Sequence, residues 1–353
     1  MGEYCKKRSE GIWRSSEIKG GIKLGDTTFI TIIVPFYNSG KYIKNSVESI
    51  KKQTSQNFEV LFINDGSTDN SKGILKELLI DWDINYRIID KENGGESTAR
   101  NLGIKEARGD YVFFFDSDDF IDDELIKEIT NKLKNENNTP DIIYWGWDKV
   151  NKERVVLQKY EEKYTYLESS NSFLIDYMLE HFWICIGSAA YRRSFLVENN
   201  IFFPEGVLIA PDVVFIFTSL LKAKTIKCIS KSLSFYCIHD NSISQKYTFK
   251  RIHTIKAMYL LEESLEDGSK EKEIFLNTFK PRFYWNMINN LLKFDKNDYE
   301  AKKRIIRLIN NKNIKKVLKK HQFSKSKDQI RKFVIIHFPK FYIDFIMNIR
   351  NEG

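Results

Sequence analysis

The stretch that most constrains this chain runs from Tyr111 to Asp119, where five bulky apolar residues lead directly into an acidic turn. An unbroken apolar run of this kind is typical of a strand that is buried on both faces of a parallel sheet. The acidic residues then follow the carboxyl end of that strand, which is the edge where open α/β sheets bind ligands. The sequence therefore predicts a polar site at the end of a central strand.

Two carboxylates of this turn have the spacing of cation ligands. Asp116 and Asp118 are two residues apart, so their oxygens can face one hard cation and leave room on it for phosphate oxygens. The functional interpretation is a Mg²⁺ or Mn²⁺ site that holds a diphosphate. The structural interpretation is a solvated acidic turn that caps the next helix.

The first half of the chain alternates between strand and helix patterns. Apolar, β-branched runs predict strands at 29–34, 58–63, 86–89 and 111–115, and helical periodicity separates them. This alternation predicts an α/β fold with a Rossmann-like, mostly parallel sheet flanked by helices. The loops after the first, second and fourth strands meet at one edge of such a sheet. Those loops carry Asn38, Asp65, Asp116 and Asp118.

The later pattern changes to short strands at 225–229 and 233–238 and then to helices alone from Phe249. Apolar residues make up 42% of the 353 residues, enough for a packed core, and the chain contains no uninterrupted membrane-spanning run. The first 27 residues are predicted to be a loose polar leader. The four cysteines suggest neither a metal site nor a disulfide framework, so we expect a reduced, cytoplasmic protein.

The net charge of +8 is concentrated near the end of the sequence. Residues 301–353 contain 15 lysines and arginines and 3 acidic residues, whereas the rest of the chain is slightly acidic. This distribution argues against a nucleic-acid groove along the main domain. The last predicted helix, 329–349, carries an apolar stripe with Pro339 kinking or starting it. The stripe consists of Phe338, Phe341, Tyr342, Phe345, Ile346 and Ile349.

Three interpretations of this basic and aromatic segment remain open. It is a solvated helical face, an interfacial helix on an anionic membrane, or a homodimer contact. The membrane interpretation predicts a cytoplasmic protein that is peripheral on the inner face of the plasma membrane.

Four motifs together resemble the family-2 glycosyltransferases in order and spacing. They occupy residues 34–38, 64–69, 94–103 and 116–119, the last being a DXD motif. The resemblance covers about residues 29–245. It implies a GT-A nucleotide-sugar and acceptor domain over 28–245, followed by a helical, basic C-terminal region over 246–353.

The resemblance implies a nucleotide-sugar site in the first half of the chain. Asp65 would read uridine, although an Asx-turn explains the same residue type. Pro35, Tyr37 and Asn38 belong to the loop under the base, where turn and packing roles are equally open for the first two. Arg100 would stay near phosphate or Asp116, or it is a surface helix charge.

The same resemblance implies the metal ligands. Asp116 would contact the ribose or bind the metal through water, and Asp118 would bind the metal directly. His239 lies in a segment that resembles the family's basic residue before Ser-Ile-Ser. It would contact the diphosphate or the metal, and a structural histidine is the alternative.

The acceptor side departs from the family pattern at one position. The family signature is a Glu-Asp pair followed by two variable residues and Phe. This chain keeps Asp212 and Phe215 but has Pro211 in place of the glutamate. Asp212 would be the catalytic base, with a helix N-cap as the alternative.

The implied reaction is an inverting transfer of one sugar from a UDP-sugar to a hydroxyl of a glycan acceptor in bacterial surface polysaccharide synthesis. Related acceptors are often lipid-linked. Two other classes stay open. Pro211 suggests a nucleotide-binding scaffold that has lost catalysis. A nucleotidyltransferase is less compatible with the sequence, because residues 35–40 lack the Gly-rich basic loop of that class.

Overall fold

The computed structural model describes residues 29–136, 139–167, 169–238, 248–295, 298–322 and 326–349. The predicted leader and His239 lie outside these residues. Within them, nine strands form one sheet in the order β3-β2-β1-β4-β8-β6-β9-β5, with β7 pairing with β6.

The first four strands are parallel, as the alternating pattern predicts. They are β1 (Ile30–Phe36), β2 (Phe58–Asp65), β3 (Tyr86–Lys91) and β4 (Tyr111–Phe114). Their apolar runs supply both faces of the sheet, because successive side chains point to opposite sides. Phe113 packs in the cluster on one face and Phe114 in the cluster on the other.

Helices cover both faces of this parallel part. They are α1 (Ile43–Lys51), α2 (Ser71–Leu78), α3 (Glu96–Glu106) and α4 (Leu125–Lys134). Helices α1, α2 and α4 pack on the face that holds Phe113, and α3 packs on the face that holds Phe114.

The sheet becomes mixed beyond β4. Its further strands are β5 (Phe120–Ile121), β6 (Ile142–Val150), β7 (Val156–Gln158), β8 (Ala189–Arg192) and β9 (Ile226–Cys237). Strand β8 is antiparallel to both β4 and β6, whereas β9 is parallel to β6. The two short strands predicted at 225–229 and 233–238 are wrong as separate elements. They form the single strand β9, in which pairing with β6 shifts between Ile229 and Ser232, so a bulge of polar residues interrupts the apolar pattern.

The remaining helices of the first part are α5 (Phe173–Met178), α6 (Arg193–Glu198) and α7 (Pro211–Lys222). From Phe249 onward the described residues contain helices and no strand, as predicted. These helices are α8 (Thr254–Glu263), α9 (Lys270–Ile274), α10 (Lys280–Leu291), α11 (Tyr299–Asn310), α12 (Lys312–Lys320), α13 (Ser326–His337) and α14 (Pro339–Ile349). A π-helical turn, Phe275–Phe279, joins α9 to α10.

The single helix predicted over 329–349 is two helices. Pro339 begins α14, consistent with the prediction that it kinks or starts the helix, because proline lacks the N–H that a continuous helix would need there. Across all described residues, no helix is long and apolar enough to cross a bilayer.

The C-terminal helices share one hydrophobic core with the sheet. A continuous cluster of buried side chains joins Phe114 of β4 and Phe215 of α7 to Met258, Leu318 and Ile343. The basic region is therefore packed onto the α/β part. A domain boundary at residue 245 stays a prediction, and it falls among residues that the structure does not describe.

Candidate active site

The loop after β1 is tied to the loop after β2 through Asn38. The Asn38 side-chain oxygen accepts hydrogen bonds from the backbone N–H groups of Thr68 (2.8 Å) and Asp69 (3.2 Å). Asn38 has a left-handed backbone with φ of 49°, a conformation that asparagine tolerates better than most residues. Asn38, which the sequence predicts to be a site residue, thus holds the loop after β2 in position.

Pro35 and Tyr37 flank the end of β1 in different ways. The strand predicted to stop at Val34 continues to Phe36, so Pro35 is a buried strand residue paired with Ile63. Proline is tolerated there because the pairing of β1 with β4 ends at Ile33. Tyr37 follows the strand with 50% of its surface exposed, so its ring is available to a ligand.

Asp65 ends β2 as a buried carboxylate that holds the loop before α3. Its two oxygens accept hydrogen bonds from the backbone N–H groups of Gly94 (2.9 Å) and Gly95 (2.8 Å), and Lys91 forms an ion pair with it. The turn after β2 is instead held by Asn64, whose side-chain oxygen accepts a hydrogen bond from the backbone N–H of Ser67, three residues on, at 2.9 Å. Gly95 has φ of 88°, which lets the loop bring its N–H to Asp65.

Arg100 lies at the centre of the acidic cluster, so the interpretation as a surface charge is wrong. Its side chain is 3% exposed, and its guanidinium donates to Asp116 Oδ1 at 2.6 Å and forms an ion pair with Glu96. Although burial opposes its charged form, Glu96 and Asp116 raise the pKa of Arg100 above its usual value. A permanent cation is thus fixed at the carboxyl end of β4.

Glu96 is a site residue that sequence reasoning missed. It lies in the first turn of α3, directly after Gly95. Its side chain keeps 52% exposure, yet desolvation by the surrounding protein and the negative charges of Asp116, Asp212 and Asp118 raise its pKa to about 7. The signal available in the sequence was the four-residue spacing between Glu96 and Arg100, which pairs opposite charges on a helix.

Asp119 is a second missed carboxylate, and it lies beneath the DXD turn. It is buried and accepts a hydrogen bond from the Cys237 N–H at 2.8 Å. Burial, followed by the charges of Asp118 and Asp116, raises the pKa of Asp119 well above its usual value. Only the three-dimensional contact with the end of β9 could reveal this role.

This surplus of negative charge suits a divalent cation. Asp116, Asp118, Asp119 and Glu96 surround the guanidinium of Arg100. Burial is the main cause of the raised pKa values of Glu96 and Asp119, and repulsion from the neighbouring aspartates adds to it. Asp116 and Asp118 would supply hard oxygen ligands. The described residues contain no group of three or more metal-ligating side chains, so a cation would take further ligands from a diphosphate and from water.

Asp212 occupies the first turn of α7, and it is not the N-cap. The N-cap is Ala210, which has a left-handed backbone with φ of 59° and makes no side-chain cap. Pro211 occupies the first helical position, where its missing N–H costs nothing. Burial raises the pKa of Asp212, and so does the charge of Asp116, whereas Arg100 opposes the shift.

A stack of aromatic rings links Arg100 to the helix of Asp212. The Arg100 guanidinium lies 5.1 Å from the centre of the Phe203 ring. The Phe203 ring stacks on that of Phe215, which lies one helical turn after Asp212. Asn101 holds Phe203 in place by donating to its carbonyl (3.0 Å) and accepting from its N–H (2.8 Å).

The structure therefore brings most of the predicted site residues to one edge of the sheet. Asp65, Arg100 and Asp116 are joined through α3 and the loop before it, and Asp212 is linked to them through Phe203. Asn38 and Tyr37 border the same edge from β1. His239 falls outside the described residues, so its predicted role stays a prediction.

The chain is similar to known glycosyltransferases in sequence. The family described as Glycosyl transferase family 2 matches residues 31–200. The uncharacterized glycosyltransferase EpsJ of Bacillus subtilis is 30% identical over 61% of this chain and 63% of EpsJ. The poly(ribitol-phosphate) beta-N-acetylglucosaminyltransferase TarS of Staphylococcus aureus is 29% identical over 70% of this chain but 43% of TarS. The chain thus spans less than two thirds of the length of these two relatives.

Solved structures show the same architecture. TarS residues 1–349, in complex with UDP-GlcNAc, align with a TM-score of 0.59 and 25% identity over 82% of this chain and 81% of that one. The mannosyltransferase PcManGT of Pyrobaculum calidifontis, in complex with GDP-Man and Mn²⁺, aligns with a TM-score of 0.50 and 15% identity over 89% of this chain and 88% of that one, which shows the fold alone. Residues 31–200 thus match the family-2 glycosyltransferases in sequence, and the chain shares the GT-A fold of the TarS structure.

Proposed function

We propose that this protein transfers one sugar, with inversion, from a UDP-sugar to a hydroxyl of a glycan acceptor in bacterial surface polysaccharide synthesis. The observation that carries the proposal is the arrangement around Arg100. Asp65 ends β2 and Asp116 follows β4, the two strands that flank β1. Asp116 accepts a hydrogen bond from Arg100, and Asp212 lies in the first turn of α7, whose Phe215 stacks on the Phe203 ring beside Arg100. Similarity to TarS, solved with UDP-GlcNAc, supports a UDP-sugar as the donor.

Asp65 is the group that would read the base. A carboxylate offers about four acceptor positions, and three donors occupy Asp65: Lys91, Gly94 N–H and Gly95 N–H. One position is left for the N–H of uracil, and a buried acceptor rejects a base that lacks the matching donor. The exposed ring of Tyr37 would contact the base from the β1 side.

Asp118 and Asp116 would hold Mg²⁺ or Mn²⁺. When bound, the cation supplies charge stabilisation to the departing diphosphate. Arg100 keeps Asp116 in place through the 2.6 Å hydrogen bond. Because Arg100 is buried and doubly paired, it orients the acidic turn before any ligand arrives.

Asp212 is the proposed general base for the acceptor hydroxyl. A raised pKa moves a carboxylate toward the operating pH, where it accepts a proton more readily. Pro211 stands in place of the glutamate of the family's Glu-Asp pair. Glu96 supplies a second acidic group near the proposed base despite that loss, since the charge of Asp212 contributes, after burial, to the raised pKa of Glu96.

Pro211 also supports the second candidate, a nucleotide-binding scaffold without catalysis. A thermal-shift panel of nucleotide sugars with Mn²⁺, followed by an assay of UDP release with glycan acceptors, separates the two. Stabilisation by a UDP-sugar together with acceptor-dependent UDP release supports the transferase. Stabilisation without release under any acceptor supports the scaffold, and no stabilisation by any UDP-sugar contradicts both.

We place the reaction in the cytoplasm at the inner face of the plasma membrane, with a lipid-linked glycan as acceptor. Cys185 and Cys237 are free thiols, which suits a reducing compartment. The basic C-terminal region supports the membrane position.

A further inference from the structure

The C-terminal helices expose an aromatic patch that the core does not need. We define the aromatic patch as Ile330 and Phe333 of α13, Phe338 between the helices, and Phe341 and Phe345 of α14. These side chains are 65%, 54%, 56%, 67% and 52% exposed, respectively. Monomeric proteins rarely present so many large apolar side chains together without a partner.

The patch is continuous across the junction of the two helices. The Phe333 and Phe338 rings lie 6.4 Å apart, as do the Phe341 and Phe345 rings. Phe338 and Phe341 line one shallow concavity together with His337 and Lys340. The rings therefore form one surface.

The opposite sides of the same helices already anchor them. Ile335 and Ile336 of α13 and Ile343 of α14 are buried in the main hydrophobic core. The stripe predicted from the sequence is thus divided, because Tyr342 and Ile346 pack against that core while three phenylalanines face outward. A helix whose one side packs in the core and whose other side is also apolar is expected to contact a second apolar environment.

The charges around the aromatic patch indicate which apolar environment it contacts. Exposed Lys327 and Lys340 flank the patch on α13 and α14, and Lys302 neutralises the nearby Asp344 through an ion pair. Residues 301–353 carry 15 basic and 3 acidic residues. Two copies of this surface would repel each other, whereas an anionic bilayer offers both hydrocarbon for the rings and negative headgroups for the bases.

We infer that the aromatic patch and its flanking lysines form the surface on which this protein docks to anionic phospholipid. The inference deepens the proposed function, since docking would bring the active site to a lipid-linked acceptor. Lipid binding itself is separable from sugar transfer. The C-terminal helices are unsuitable for deletion, because Ile305, Ile309 and Leu318 belong to the shared core and truncation would expose it.

The test uses the full chain and substitutions on the surface. Phe341→Ser/Phe345→Ser removes two rings of the patch, and Ile80→Ser/Tyr259→Ser is the matched control because both residues are exposed elsewhere, at 66% and 58%. Sedimentation is measured with vesicles of phosphatidylglycerol and phosphatidylcholine in equal parts, and with phosphatidylcholine alone. We expect the parent and the control to bind the anionic vesicles at low salt. The double phenylalanine variant should bind them at least about tenfold more weakly.

A second variant removes charge and leaves the rings intact. Lys327→Glu/Lys340→Glu should bind anionic vesicles more weakly at low salt, and the parent's binding should weaken as salt rises, since screening shortens the range of these charges from ~10 Å at 0.1 M to ~3 Å at 1 M. Equal binding by parent and both variants would overturn the inference, as would a parent that ignores anionic vesicles. A parent dimer that the phenylalanine variant dissociates, without vesicle binding, would instead show that a second copy covers the patch.

Sugar transfer to a water-soluble acceptor is measured alongside. Retained transfer with lost vesicle binding supports docking by the patch and leaves the proposed function intact. Vesicle binding by a parent that transfers no sugar supports the docking surface and contradicts the proposed function.

Discussion

The rings of Phe203 and Phe215 lie parallel, with centroids 4.1 Å apart and planes 2° apart. The Arg100 guanidinium lies 5.1 Å from the centre of the Phe203 ring, and Asp212 lies one turn before Phe215 on α7. The stack therefore sets the separation between the acidic turn after β4 and the proposed base. The two stacked rings thus fix how far Asp212 of α7 lies from Arg100 of α3.

Replacing one ring of this stack by an aliphatic side chain should lower turnover by more than the loss of folding stability explains. Phe215→Leu should cost about 1–2 kcal/mol of unfolding free energy through lost packing. Since misplacement by about 1 Å can cost ~10²-fold in rate, we expect turnover to fall about tenfold to a hundredfold. Denaturant unfolding and initial rates of UDP release measure the two effects.

The control is Phe217→Leu, two residues further along α7. Phe217 is equally buried but packs on Phe275 and Phe279 of the C-terminal helices. It should lose similar stability and keep turnover close to the parent. Equal loss of turnover in both variants would mean that the stack has no positioning role.

Removing Asp118 should abolish most of the metal-dependent part of UDP binding. Asp118→Ala deletes a charged oxygen that a hard cation would need. Calorimetry of UDP with and without Mn²⁺ measures the enhancement. Asp123→Ala, an exposed aspartate five residues later in the chain, should keep the parental enhancement. If Asp118→Ala keeps it as well, the cation does not bind at the DXD turn.

Neutralising Asp212 should separate catalysis from donor binding. Asp212→Asn keeps the size and the first-turn position but removes the basic carboxylate. General base catalysis contributes typically ~10²–10⁴-fold, so turnover should fall by about that factor while UDP-sugar affinity stays near the parental value. Asp298→Asn, at the N-cap of α11, controls for loss of a helix-terminal charge. Near-parental turnover of Asp212→Asn would assign the base to another residue.

The parts of the fold that the sequence predicts best are those with strong local signals. The runs before Asp65 and Asp116 are buried strands because most of their side chains are apolar, with Glu59 as a charged exception in the first run, and their carboxyl ends converge as parallel strands must. Arg100 is a different case. Its helix position is predictable, but burial against Phe203 depends on a contact 103 positions away in the chain.

Features that arise from long-range packing escaped prediction. The bulge in β9 appears locally as a break between two strands, and only pairing with β6 joins them. The sequence of α14 predicts one apolar face, yet Ile343 is buried in the core and Phe341 is exposed. Asp119 could be placed in the DXD turn from sequence, whereas its hydrogen bond to Cys237 depends on the neighbouring strand.

The raised pKa of Glu96 predicts a distinct dependence of stability on pH. Its pKa is about 7 in the folded protein against an ordinary 4.5. Between these values the folded state keeps a proton that the unfolded state has lost, so stability falls as pH rises through this window and levels off above it. Glu96→Gln removes this proton linkage. The melting temperature of the variant minus that of the parent should therefore increase from about pH 5 to about pH 8.

The measurement needs chelator and no nucleotide, because a bound cation would favour ionised Glu96. Glu124→Gln is the control. A hydrogen bond from Lys127 lowers the pKa of Glu124, so its contribution to stability is already complete above the ordinary value of 4.5. It is lost only as pH falls through the lowered pKa. The difference between Glu124→Gln and the parent should thus stay constant from about pH 5 to about pH 8. A similarly constant difference for Glu96→Gln would show that Glu96 is ionised throughout, and that Arg100 outweighs the three aspartates around it.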